Sequence, residues 1–184
     1  MNLLNIDKPV LVDDLLPPQE NLEVLKHIAT RPWVIQHEEN SEDAKFKSGF
    51  LNDFQHTGYA ITALDDTGNN QNLHPTDPLV IWSRIVTYGI IHKLQANNCK
   101  KVSRVHWNYY TQGQQGIGHV DRDPDNFISI LYNPHTTDGA TEILGVKYPD
   151  KMGQAKVFKS NWLHKGIATI NDKSRCSLNI ILEY

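Results

Sequence analysis

His119-Val-Asp121 places an imidazole and a carboxylate two residues apart. On an extended backbone, residues i and i+2 point to the same side, so both groups can reach one ion. The approach, Gly113-Gln-Gln-Gly116-Ile-Gly118, is glycine-rich, which lets the chain turn sharply and gives the pair open space. A third ligand has to come from elsewhere, and His164 in Trp162-Leu-His164-Lys-Gly166 is the candidate. Two neutral imidazoles and one carboxylate on one face of an ion leave three coordination positions open. That donor set favours non-heme iron(II) with a chelating cosubstrate and dioxygen, although zinc accepts the same ligands. A rival H-x-E pair, His37-Glu38-Glu39, lies in an acidic polar run and reads as solvated surface.

A second group follows on the last apolar strand, where Arg175 stands eleven positions after His164 (175 − 164). Alternation puts Arg175 and Ser177 on one face of that strand, and Cys176, Leu178, Ile180 and Leu182 on the other. An arginine pointing inward from a core strand needs an anion. One partner that fits is the carboxylate of a bound diacid, to which Ser177 adds a hydroxyl donor. The other is an internal Asp or Glu. Other polar residues have ordinary readings: His106 structural or solvent-facing, His135 a loop residue, Lys165 and Glu142 solvated.

The elements that must position these groups are legible from periodicity. Residues 10–16 read as a strand running into a turn at Pro17 and Pro18, and 19–29 as a helix with Leu22, Leu25 and Ile28 on one side. A longer helix is expected over 77–96, with Thr76 as N-cap and a stripe of Trp82, Ile85, Val86, Ile90 and Leu94 as its buried face. Short strands are expected at 103–109, 127–132, 140–144, 155–158 and 175–182. The polar, acidic stretch 36–43 reads as a surface loop. Helices first and strands after predict a mainly β protein with flanking helices, packed outside a β-sandwich or jelly roll.

Bulk properties narrow the function classes. The 184 residues suit one domain, 1–184, with no repeat or linker dividing it. Eighteen basic against 21 acidic residues leave a net charge of −3, which gives no general pull toward nucleic acid or an anionic membrane. Two distant cysteines, Cys99 and Cys176, do not make a disulfide framework. Asp7 and Lys8 interrupt the apolar stretch a signal peptide needs, and no run is long enough to span a bilayer. A cytoplasmic protein is expected.

The residues taken together resemble the 2-oxoglutarate- and iron(II)-dependent dioxygenases, in particular the prolyl 4-hydroxylase-like branch. Tyr110-Thr-Gln-Gly113 leads to His119-Val-Asp121 at the family's spacing of nine (119 − 110). Leu131-Tyr132-Asn133 looks like the family's Y-L-N, and Asp138-Gly139-Ala140-Thr141 like its G-G-x-T turn, while Arg175-Cys176-Ser177 is similar to an R-x-S element. The resemblance implies a double-stranded β-helix, the cupin-like jelly-roll variant. It also implies iron(II) on His119, Asp121 and His164, and 2-oxoglutarate held by Arg175, Ser177 and Tyr110. The implied chemistry converts 2-oxoglutarate and dioxygen to succinate and carbon dioxide while hydroxylating a C–H bond of a peptidyl proline or a small molecule. Gly116, where the family has an aromatic, and Asp138, where it has glycine, are departures that bear on a prolyl substrate. Two alternatives use the same residues: an oxidative nucleic-acid demethylase, and a zinc-type metal-binding β-barrel without oxygenase activity. The acidic net charge and the absence of an arginine after Arg175 argue against the first. An inward Arg175–Ser177 pair, for which a water-only site has no use, argues against the second.

Overall fold

Alternation along the strands gives most of them one apolar and one polar face, and the architecture follows from where those faces go. The computed structural model describes residues 2–31, 34–35, 59–66 and 73–184. The acidic stretch 36–43, with His37 and Glu39, lies outside the described residues. The strands are β1 (Val10–Val12), β2 (Val34–Ile35), β3 (Tyr59–Asp65), β4 (Lys101–Thr111), β5 (Phe127–Asn133), β6 (Ala140–Ile143), β7 (Val146–Pro149), β8 (Gln154–Lys159), β9 (His164–Ile167) and β10 (Ser174–Glu183). Among the described residues two α-helices, α1 (Pro18–Ala29) and α2 (Pro78–Lys93), precede most of them.

A seven-stranded sheet runs in the order β1-β8-β5-β10-β4-β3-β2, and a three-stranded sheet in the order β7-β6-β9. The pairings are antiparallel, and β10 sits between β4 and β5, so the last strand closes the middle of the large sheet. This is the mainly β, double-stranded β-helix arrangement expected from the sequence. One face of the large sheet carries Val105, Trp107, Ile130, Tyr132, Val157, Leu178 and Ile180, and packs against Val24 and Ile28 of α1 and Leu79, Val86 and Ile90 of α2. The other face turns toward the small sheet, where Leu131 and Phe158 meet Ile143 of β6.

Both helices bury a face slightly turned from the one periodicity suggests. In α1 the buried residues are Asn21, Val24 and Ile28, whereas Leu22 is exposed. In α2 they are Leu79, Val80, Ser83, Val86, Thr87 and Ile90, whereas Ile85 is 45% exposed. Apolar residues occur all round α2, so hydrogen bonds choose the face. Trp107 Nε1–H donates to Ser83 Oγ (2.9 Å), which itself donates to Leu79 O (2.6 Å). The N-cap of α2 is Asp77 rather than Thr76: its Oδ1 accepts from the Leu79 amide (2.9 Å), and Arg31 fixes the same carboxylate.

Asn21 plays the matching part in α1. Its Nδ2 donates to Leu16 O (3.0 Å) and Pro17 O (3.1 Å), and the Tyr132 hydroxyl donates to its Oδ1. Tyr132→Phe is expected to leave Asn21 Oδ1 without that donor and to lower unfolding free energy by about 1–2 kcal/mol. Urea denaturation should show a lower midpoint with an unchanged slope; an unchanged midpoint would refute the role given to Asn21.

Candidate functional site

The segment before β5 runs antiparallel to β9. His119 N–H donates to His164 O and His164 N–H to His119 O, both at 3.0 Å, and Gly116 N–H donates to Gly166 O (3.1 Å). This reciprocal pairing sets the two rings beside each other, with centroids 4.4 Å apart. Asp121 follows with its amide on Ser160 O (2.9 Å), while Val120 between them is exposed, as alternation requires. The three side chains offer ligand atoms within 4.8 Å of one another.

The tautomer of the two rings is set by their neighbours. His119 Nδ1 lies 2.9 Å from Ile117 O and His164 Nδ1 lies 3.0 Å from Trp162 O. A carbonyl only accepts, so in each ring Nδ1 carries a hydrogen, and in the neutral tautomer a metal requires it is Nε2 that offers the lone pair. His164 Nε2 faces Asp121 Oδ2 at 3.5 Å. Burial opposes the charge on Asp121, but Arg104, the two histidines and Ser129 outweigh it and hold the carboxyl well below its usual range. Burial likewise pushes His164 down, toward the neutral form a metal needs. Two Nε2 lone pairs and a permanently ionised carboxylate in one spot fit a divalent cation.

Sequence reading did not single out the groups that hold Asp121. Arg104 pairs with its Oδ1, Ser129 Oγ donates to Oδ2 (2.6 Å), and Asn179 Nδ2 lies 3.3 Å from both oxygens. Such outer partners orient a ligating carboxylate. Their signal was present: Ser129 interrupts the apolar run 127–131, and Asn179 continues the alternating polar face that Arg175 and Ser177 begin.

Arg175, Ser177 and Asn179 share one face of β10, directed at the small sheet, and all are buried. Arg175 is paired in register with Tyr110 of β4, whose ring centre lies 5.6 Å from its Cζ. The internal acid that the sequence left open is Asp150, just after β7. Arg175 Nε donates to Asp150 Oδ2 (2.5 Å) and Nη2 to Oδ1 (3.2 Å), while Nη2 also donates to Thr141 Oγ1 (2.8 Å). Thr137 Oγ1 donates to Asp150 as well (3.0 Å). A third charge completes the group: Lys156 of β8, whose side chain is 0% exposed, donates from Nζ to Asn133 Oδ1 (2.5 Å) and Asp150 Oδ1 (3.3 Å). Burial pulls the Lys156 ammonium down and Asp150 partly restores it, while Asp150 holds Arg175 protonated against burial.

The Nη1 edge of Arg175 lies against Gly166 of β9, with the Tyr110 ring beside the guanidinium. A Cβ on Gly166 would meet Nη1 at 2.8 Å and displace the arginine, while a Cβ on Gly139 would crowd Arg175 Cδ at 3.2 Å. Gly116, the departure before H-x-D, has its own reason: a Cβ there would approach Gly166 N to 3.1 Å. Asp138, the other departure, accepts from the amides of Ile170 (3.2 Å) and Asn171 (2.7 Å) and ties down the β9–β10 loop. His106, read as structural or solvent-facing, is buried on the inner face with Nε2 at 3.5 Å from Thr62 Oγ1. His135 Nε2 contacts Ser174 O (3.3 Å), and Lys165 pairs with Glu142 (3.4 Å).

No protein-family model matches the sequence, and no curated protein does. Solved structures do match. A 2OG-Fe(II) oxygenase family oxidoreductase from Burkholderia pseudomallei superposes with a TM-score of 0.68 at 14% identity, over 98% of this chain and 87% of that one. A Trichoplax adhaerens prolyl hydroxylase, solved with a hypoxia inducible factor peptide fragment, gives 0.68 at 10% identity over 98% and 85%. The viral collagen prolyl hydroxylase of Paramecium Bursaria Chlorella virus-1, a 2OG complex, gives 0.62 at 14% over 97% of each chain. The fold is that of the 2-oxoglutarate oxygenases. Within this oxygenase fold, no helix among the described residues is long and apolar enough to cross a membrane.

The buried His106 gives a test of the inner face. Burial, then Arg104, push it down to about 4, from 6.5. The unfolded chain therefore binds the proton first as pH falls, so stability is full above about 6.5 and is lost between there and about 4. At pH 5 the loss from this group should reach about 2 kcal/mol relative to neutral pH. Denaturation of wild type and His106→Gln at both pH values isolates it, because other histidines contribute equally to both. Equal pH dependence in the two proteins would contradict the placement.

Proposed function

We propose that the protein is a 2-oxoglutarate- and iron(II)-dependent oxygenase that hydroxylates a C–H bond. The observation that carries this reading is the joint placement, between the two sheets, of a His-Asp-His triad and a buried arginine whose Nη1 lies against Gly166, two residues after the His164 ligand. A metal-only site would use the first and leave the second unexplained. His119, Asp121 and His164 would hold the iron, and Arg175, with Tyr110 and Ser177 beside it, would hold the far carboxylate of the diacid. Bound iron(II) would supply the activation of dioxygen that couples decarboxylation of 2-oxoglutarate to hydroxylation.

The chain's own residues then have definite tasks. Ile117 and Trp162 carbonyls keep each imidazole turned with Nε2 inward. Arg104, Ser129 and Asn179 hold the Asp121 carboxylate in one orientation. Phe158 packs edge-on to His164 at 4.8 Å and, with Leu131 and Ile143, keeps water from the inner wall of the triad. A peptidyl prolyl residue or a small molecule is the proposed substrate class, with dioxygen as oxidant. Residues 1–184 would act as one domain, in a reducing intracellular setting that suits the free thiols of Cys99 and Cys176.

Anaerobic addition of iron(II) and 2-oxoglutarate should produce the weak visible charge-transfer band of the chelate. His119→Ala and Asp121→Ala should abolish it, and Arg175→Ala should weaken 2-oxoglutarate binding by about 1.5–3 kcal/mol, the worth of a hydrogen bond to a charged group. Iron binding with no band and no succinate at any 2-oxoglutarate concentration would sink the proposal.

A further inference from the structure

Asp150 is the one carboxylate in contact with Arg175 or Lys156 among the described residues. Three buried side chains thus carry two positive charges and one negative. An unmatched charge in such a place is costly until an opposite one arrives. The order in space is as informative as the count. It runs Arg175, Asp150, Lys156, so the charges alternate and the Arg175 end is positive. Asp150 takes the Nε and Nη2 edge of Arg175, Thr141 takes the other hydrogen of Nη2, and Nη1 lies toward Gly166 and Tyr110.

Without Lys156, Asp150 and Arg175 would form a neutral pair, and an incoming carboxylate would meet little net attraction. We infer that Lys156 is a positioning residue for the cosubstrate: by engaging Asp150 from behind, it leaves the Arg175 charge and its Nη1 edge to the far carboxylate of the diacid. This inference rests on the reading of the barrel as a 2-oxoglutarate site. Asp150 then serves to orient the guanidinium, and Lys156 keeps that orientation from neutralising it. Asn133, accepting from the same ammonium, aims Lys156 at the acid.

Calorimetric titration of Mn(II)-loaded, catalytically inert protein separates the possibilities, with two probes. 2-Oxoglutarate has a metal-chelating end and a far carboxylate; oxalate has only the chelating end. Lys156→Met should weaken 2-oxoglutarate binding by about tenfold or more, as expected for a lost charge on a hydrogen-bonded carboxylate, and leave oxalate binding unchanged. In the iron enzyme the same variant should raise the KM for 2-oxoglutarate with little change in kcat. Asp150→Asn combined with Lys156→Met keeps the net charge of the cluster and should return 2-oxoglutarate affinity to within about threefold of wild type. If Lys156→Met does not fold, the double variant decides: loss of 2-oxoglutarate affinity there overturns the inference. So does a Lys156→Met protein that binds 2-oxoglutarate normally, or one that loses oxalate in equal measure. Those results leave the oxygenase reading standing, whereas a wild type that binds neither probe overturns both.

Discussion

His119 and His164 exchange both of their backbone hydrogen bonds, and the rest of the site is built on that pairing. A loop that merely passed near β9 would leave its ring free to turn. A pairing through the main chain fixes the ring's origin, and the carbonyls two residues back fix its rotation. Asp121 needs no third backbone strand of its own, because extended geometry at His119 carries it to the same side. A glycine at 116 is part of the same constraint, since a Cβ there would press on the Gly166 backbone at 3.1 Å.

The inner face of the large sheet is more polar than the interior of a protein this size usually is. Ser129, His106, Asn179, Ser177, Arg175 and Lys156 alternate with the residues that make the helix-side core. Each strand therefore supports stability with one face and presents chemistry with the other. The two demands are separated by the pleat, which lets the apolar face be packed tightly without constraining the polar one. Burial of so many polar groups is tolerated because the charged ones among them are bonded into two clusters: Asp121 with Arg104, Ser129 and Asn179, and Asp150 with Arg175, Lys156 and Thr137.

The strands of the C-terminal half were readable because Val, Ile and Leu alternate there with polar residues; β9 was missed because His164–Ile167 has the texture of a loop and becomes a strand through its partner β6. The same holds for β7, joined to β6 by a two-residue turn in which Leu144 and Gly145 both take positive φ. The metal triad was legible because its chemistry is local in two residues and repeated in a third. Arg175 was legible as an inward charge, but not its partner. Asp150 follows Pro149 and reads as an ordinary turn residue, and only the folded barrel brings it to the arginine. Lys156 did leave a mark, a charge in the middle of the apolar run Ala155–Phe158. The helix faces were misjudged by about one residue because Asn21 and Ser83, polar side chains that periodicity discounts, make the decisive contacts.

The seclusion of the Arg175, Asp150 and Lys156 charges also bears on how an anion reaches them. The chain as a whole is acidic, with a net charge of −3, so a dianion at a distance is not drawn toward the surface by its overall field. Ions in solution screen attractions over roughly 8 Å at physiological strength, yet charges buried this deeply are screened much less. Capture of such a ligand is therefore governed by short-range contact after entry. Its arrival rate should be that of an unassisted encounter, and its dwell time should be set within the barrel and respond little to added salt.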